Sequence, residues 1–283
     1  MESLFISLNT YYWNTIQERQ SISDLFHHDS WIDALIHFCN YAFERAGSPT
    51  IYRKSAKEAF RKNRNWLDDR ERWGSGIENR IFETFTQVCR ESFLENYNLK
   101  NNPMRPSDGG QISMIRFAWY ETEDKSITSW AATCIENDEL LSAFEKLRKI
   151  RGVGSKISSF YLRDIYILSE NANRNIRDRH LLQPIDVWTR RAARCFLDDQ
   201  NASDKQCAEF LVEYEDNIGI LNGSLNIAFW VLGSQIAEDE KTFVELVQGI
   251  KQENRSSLKR QLAEKISNER EWITFLETIH NGL

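Results

Sequence analysis

Apolar residues recur every four positions at Ile77, Ile81, Phe85, Cys89, Phe93 and Tyr97. A ladder of that period laid over five turns is the stripe of a core-facing helix. Similar patterns appear at about 30–46, where Gly47 stops them, at 138–150, 155–169, 186–198, 204–216 and 224–237, and across 256–280. Strand candidates are almost absent, so the spacing predicts an all-α protein. The clearest break is Asn101-Asn102-Pro103-Met104-Arg105-Pro106-Ser107-Asp108-Gly109-Gly110, which holds two of the four prolines. Its composition predicts a surface loop between helical groups.

With 283 residues, 41% of them hydrophobic, the chain can fill a sizeable core as one large domain or two lobes. No apolar run approaches a membrane span, and Met1-Glu2-Ser3 lacks the basic start of a secretory signal. A cytoplasmic or nucleoid-associated location is expected, with no membrane partner. The five cysteines, Cys39, Cys89, Cys134, Cys195 and Cys207, are scattered and never form a Cys-x-x-Cys pair. That pattern argues for buried thiols and against a disulfide framework or a metal site. A net charge of −6 is the wrong sign for a nucleic-acid partner, but its distribution matters more. Residues 146–163 carry six basic side chains and no acid, and 53–64 carry six against Glu58 alone. Phosphate binding depends on the local field at the contact face, so an acidic body with basic patches is compatible with DNA. The second cluster reads equally well as a solvated helix face.

Within the first patch, Gly152-Val153-Gly154 reads as a tight turn between helices at 138–150 and 155–169, the second using Ile157, Phe160, Tyr161 and Ile165 as its apolar face. Two glycines around one valine let the backbone turn sharply, approach a partner closely and leave amides unpaired at a helix start. Such a turn attracts phosphate through the bare amides and the helix dipole, and Lys149, Arg151 and Lys156 add full charges. Gly152, Val153, Gly154 and Ser155 would supply the backbone contacts. A plain helix connector also uses glycine, so the turn alone indicates no more than an anion site.

The whole run Lys-Ile-Arg-Gly-Val-Gly-Ser-Lys-Ile-Ser-Ser-Phe-Tyr-Leu-Arg-Asp, followed by Gln183-Pro184-Ile185-Asp186-Val187-Trp188-Thr189-Arg190-Arg191, resembles the helix-hairpin-helix DNA glycosylase superfamily. The matching places are Gly152, Val153, Gly154, Lys156, Ile185, Asp186 and Arg191, the last implied by the resemblance to contact DNA. The resemblance implies double-stranded DNA as partner, with one base flipped out and excised. It implies that Lys156 is the nucleophile of a bifunctional member, attacking the sugar C1′ and then nicking the strand through a Schiff base. It implies that Asp186 assists that attack and stabilises the oxocarbenium-like sugar. The residues also allow plainer roles: Lys156 as a phosphate contact and Asp186 as a helix N-cap.

From Lys156 to Asp186 is 30 positions, longer than in the commonest members, the excess lying at 170–180. Extended spacing is similar to the archaeal-type 8-oxoguanine glycosylase branch. That branch presents an acid and, four places on, a tryptophan to the extruded base; Asn226 and Trp230 have this spacing and would share a helix face. Trp230 reads equally as a core aromatic. Asparagine in place of the acid, and Val187 where that branch has proline, leave the excised base open. An 8-oxoguanine-like purine, another lesion, or a modified base of the kind some bacteriophages carry all fit, the last implying antiviral defence. No cysteine lies beyond Cys207, so the family's iron–sulfur cluster is not expected. A monovalent cation at the hairpin is a family feature on which the sequence is silent.

The expected architecture is two helical lobes, 1–50 with 190–283 and 51–189, with the active cleft between them and Asp186 in the second. Two rival functions stand beside a bifunctional glycosylase. One is monofunctional excision with water as nucleophile, and the other is a non-catalytic DNA-binding scaffold.

Overall fold

The computed structural model describes residues 2–13, 31–44, 50–68, 73, 76–92, 101–169, 176–237 and 239–252. Its helices, in chain order, are α1 (Glu2–Tyr11), α2 (Trp31–Ala42), α3 (Thr50–Lys62), α4 (Arg64–Leu67), α5 (Ile77–Glu91), α6 (Met114–Tyr120), α7 (Ile127–Glu136), α8 (Leu140–Leu147), α9 (Ser155–Leu168), α10 (Val187–Leu197), α11 (Asp204–Ile218), α12 (Ser224–Val231) and α13 (Glu240–Lys251). A 3-10 turn at Arg179–Leu182 precedes α10, and a π turn at Leu232–Ile236 continues α12. Among the described residues the protein is all-α, and the isolated parallel bridge is Ile112 with Ile150. The ladder at 77–97 is helical to Glu91 and buries Ile77, Ile81, Phe85 and Cys89; Phe93 and Tyr97 lie outside the described residues, as does 256–280. Full burial of each large apolar side chain contributes roughly 1.5–3 kcal/mol.

The chain divides into two compact units, Met1–Arg19 with Ala172–Leu283, and Gln20–Asn171. The sequence reading places these boundaries near 50 and 190 instead. In the second unit α2 packs on α3, α7 and α9. Phe38 and Tyr41 of α2 meet Tyr161 and Phe160 of α9 edge-on at 4.8 and 4.9 Å, which is why residues 31–42 belong here rather than with the N-terminal helix. The Tyr41 hydroxyl donates to Asp164 at 3.0 Å, and Arg163 closes a buried ion pair with the same carboxylate at 2.7 Å.

In the first unit α1 lies on α12, with Phe5 edge-on to Phe229 and the Asn9 amide donating to the Ser224 carbonyl at 2.9 Å. α10 packs on α11, α12 and α13. Gly233 lies in the π turn directly against Trp188, where a Cβ would overlap the indole. Asp186 belongs to this first unit, because the segment leading to it is hydrogen-bonded to α11 and α12 through Gln183 and Pro184.

Candidate functional site

α8 ends at Leu147, and the Ile150 carbonyl accepts from the Val153 amide at 2.9 Å to close the turn that leads into α9. Gly152 stands at φ +72°, a left-handed conformation that glycine alone adopts without strain. Val153 is buried beneath the turn. Gly154 is the N-cap of α9 at φ −95°, and no side chain among the described residues caps the helix start. A Cβ at Gly154 would meet nothing within 4 Å. Glycine at 152 is therefore required by the backbone, whereas glycine at 154 answers to nothing among the described residues and leaves the amides of the first turn open to a partner.

Of the six basic residues at 146–163, four are matched by acids, two of them flanking the run in the chain and two brought in from further away. Lys146 lies 4.0 Å from Glu121, Arg148 2.9 Å from Glu145, Arg151 2.7 Å from Asp108 and Arg163 2.7 Å from Asp164. Arg151 corrects a sequence expectation. Its side chain is only 6% exposed, and it fastens the 101–113 loop to the hairpin instead of reaching outward to phosphate. The same loop is tied at a second point, where the Ile112 amide donates to the Lys149 carbonyl and the Ile112 carbonyl accepts from the Arg151 amide. Glu78 of α5 anchors its other side through Ser107 and Ser113. The break at 101–110 is thus a bracket for the hairpin rather than a bare connector. Pairing with Arg151 also holds the Asp108 carboxyl below the usual carboxylate range. Lys149, Ser155 and Lys156 are exposed, and among the described residues neither lysine makes an ion pair or side-chain hydrogen bond.

The second cluster, at 53–64, is paired too: Arg53 with Glu44, Arg61 with Glu58, Lys62 with Glu91, and Arg64 with Asp33. It has the character of a solvated helix face.

Asp186 is the N-cap of α10, accepting from the Thr189 amide through Oδ1 at 2.8 Å. Oδ2 accepts no hydrogen bond among the described residues, so the half-buried carboxylate keeps one oxygen for another partner. Arg191 is tied to Glu240 at 2.7 Å with its guanidinium over the Trp188 ring, so it braces α10 against α13. Trp230 is half-buried and takes Tyr12 edge-on at 6.0 Å. Asn226 is a second correction. It is 1% exposed and its amide donates to the Pro184 carbonyl at 2.9 Å and to Thr189 Oγ1 at 3.4 Å, so it secures the backbone around Asp186 rather than reading a base edge.

Sequence reasoning misses Glu215 in this neighbourhood. Fully buried on α11, it accepts from Gln183 Nε2 and from the amides of Gly223 and Leu225. A signal exists: Glu215 follows Cys207 and Leu211 at four-residue steps, an acid where the ladder calls for an apolar side chain. Among the described residues no group of His, Cys, Asp and Glu is arranged to hold a metal ion. Among them, too, no helix is long and apolar enough to cross a membrane.

No family model, curated protein or solved structure matches this chain. The likeness to helix-hairpin-helix glycosylases rests on the hairpin and on residues 183–191.

Proposed function

We propose that the protein is a DNA glycosylase with associated lyase activity, excising a damaged or modified base flipped from double-stranded DNA. The observation that carries this reading is the α9 N-terminus, which no side chain among the described residues caps and which opens on a glycine whose missing side chain none of those residues requires. Bare amides, a helix dipole and two lysines without an acid beside them, Lys149 and Lys156, form a phosphate cradle at that point. Lys156 is the second residue of the helix that starts in the cradle, so a duplex gripped there carries its sugars past the amine.

The chemistry falls to Lys156 and Asp186, whose Nζ and Oδ2 make no hydrogen bond among the described residues. The neutral Lys156 amine attacks C1′, the C1′–N bond breaks, and its electron pair leaves with the base, which takes up a proton. Asp186, the N-cap of α10, offers Oδ2 to the positive charge that grows on the sugar. Ring opening then gives a Schiff base on Lys156; loss of a C2′ proton expels the 3′ phosphate and nicks the strand. The reaction requires Lys156 and Asp186 to act on one sugar. Lys156 is exposed, whereas the attack needs an amine shielded from water, a shielding that DNA closing over the helix start would have to supply.

That exposure favours a second reading, in which water attacks, Asp186 is catalytic and Lys156 only binds phosphate. Duplexes carrying 8-oxoguanine, other lesions and hypermodified bases, incubated with wild type, Lys156→Gln and Asp186→Asn, test both. The proposal expects a released base and a nicked strand with wild type only. Release without nicking, retained in Lys156→Gln, assigns the monofunctional reaction; DNA binding by all three with no base released assigns a scaffold.

A further inference from the structure

Glu215 is an ionisable side chain with no exposure, a placement tolerated only when its oxygens are paired. Oε2 accepts from Gln183 Nε2 at 2.8 Å and from the Gly223 amide at 3.0 Å, and Oε1 accepts from the Leu225 amide at 2.7 Å. The last two amides open α12, where Gly223 stands at φ +88° and no local side chain provides a cap. Glu215 therefore caps α12 from a different helix. In the first turn of that capped helix lies Asn226, whose amide reaches the Pro184 carbonyl and Thr189 Oγ1.

These contacts bracket Asp186. Gln183 is held by Glu215 directly, and Pro184 and Thr189 are held by Asn226 on the helix that Glu215 caps. Thr189 in turn gives its amide to Asp186 Oδ1, which leaves Oδ2 as the oxygen open to a substrate. Resting on the reading of Asp186 as the group that stabilises the departing sugar, we propose that Glu215 is a positioning residue that fixes where Asp186 Oδ2 points. Burial pushes the Glu215 carboxyl up to about 8 while its three N–H donors act against that shift, so the group is held in place at an electrostatic cost.

The Thr189 amide reports on the clamp by hydrogen exchange, with the Val247 amide of α13 as an internal reference. Glu215→Gln keeps the volume and replaces one acceptor oxygen with an NH2 that cannot accept, and Gln183→Met removes the amide link while sparing Glu215, so one variant serves if the other misfolds. Both are expected to exchange Thr189 about tenfold faster relative to Val247, the size of one lost hydrogen bond. Single-turnover base release should slow about tenfold or more, while borohydride capture of a preformed abasic site, which needs no base departure, stays within about twofold. Unchanged Thr189 exchange overturns the proposal whatever the activity. So does an equal loss of release and capture, the mark of general unfolding. Faster Thr189 exchange together with a wild type that releases no base upholds the clamp and sinks the catalytic reading of Asp186 instead.

Discussion

Gly152 and Gly154 look alike in the sequence, yet their substitution should separate folding from binding. Alanine at 152 must hold φ +72°, at a cost of about 1–2 kcal/mol, and a thermal melt should show the loss directly. Alanine at 154 meets no atom of the described residues, so Tm should stay unchanged while affinity for duplex DNA falls as the methyl blocks the approach of phosphate. Gly233 is a stricter case. A Cβ there would overlap the Trp188 indole, and Gly233→Ala should destabilise by about 1–3 kcal/mol in urea unfolding. At this scale the sequence exposes residue type but not surroundings. Asn226 keeps its helical spacing from Trp230, but a carbonyl 42 positions away claims its amide. Arg151 sits among basic neighbours in the chain and beside Asp108 in space.

The helices with a clean apolar period are legible in the sequence, α5, α10 and α11 among them, because each buries one stripe. α6 and α7 are not, since nearly every position of α7 is buried and a helix apolar all round shows no period. Glu215 and His37 give the two units opposite responses to acid. The Glu215 carboxyl is raised from 4.5 to about 8 by burial, so its stabilising contribution is complete below about 4.5 and is lost as pH rises through 8. His37 is lowered from 6.5 to about 4 by burial and by Lys57, so its contribution is present above 6.5 and lost as pH falls through 4. Urea unfolding of wild type and Glu215→Gln between about pH 4.5 and 8 should therefore show the wild type losing stability with rising pH more steeply than the variant. Parallel curves would mean that the carboxyl keeps its ordinary affinity for protons.

For the whole molecule, a net charge of −6 and a hairpin with four of six cations already matched predict weak, local electrostatics. Each phosphate neutralised contributes about −0.9 to the slope of log K against log salt, so Lys149→Ala and Lys156→Gln should each flatten it by about 1. Arg151→Ala should leave the slope unchanged and lower Tm by releasing the 101–113 loop. If Arg151→Ala flattened the slope as the lysine variants do, the guanidinium would be a phosphate contact after all. The all-α class is readable from periodicity, whereas the division of the chain is not, because it depends on which helix stripe meets which. The central claim is that Lys156 is the nucleophile, and borohydride reduction of the protein on duplex DNA with an abasic site tests it most directly. Wild type and Asp186→Asn should yield a covalent protein–DNA species and Lys156→Gln none; no adduct with wild type, or an equal adduct with Lys156→Gln, would contradict it.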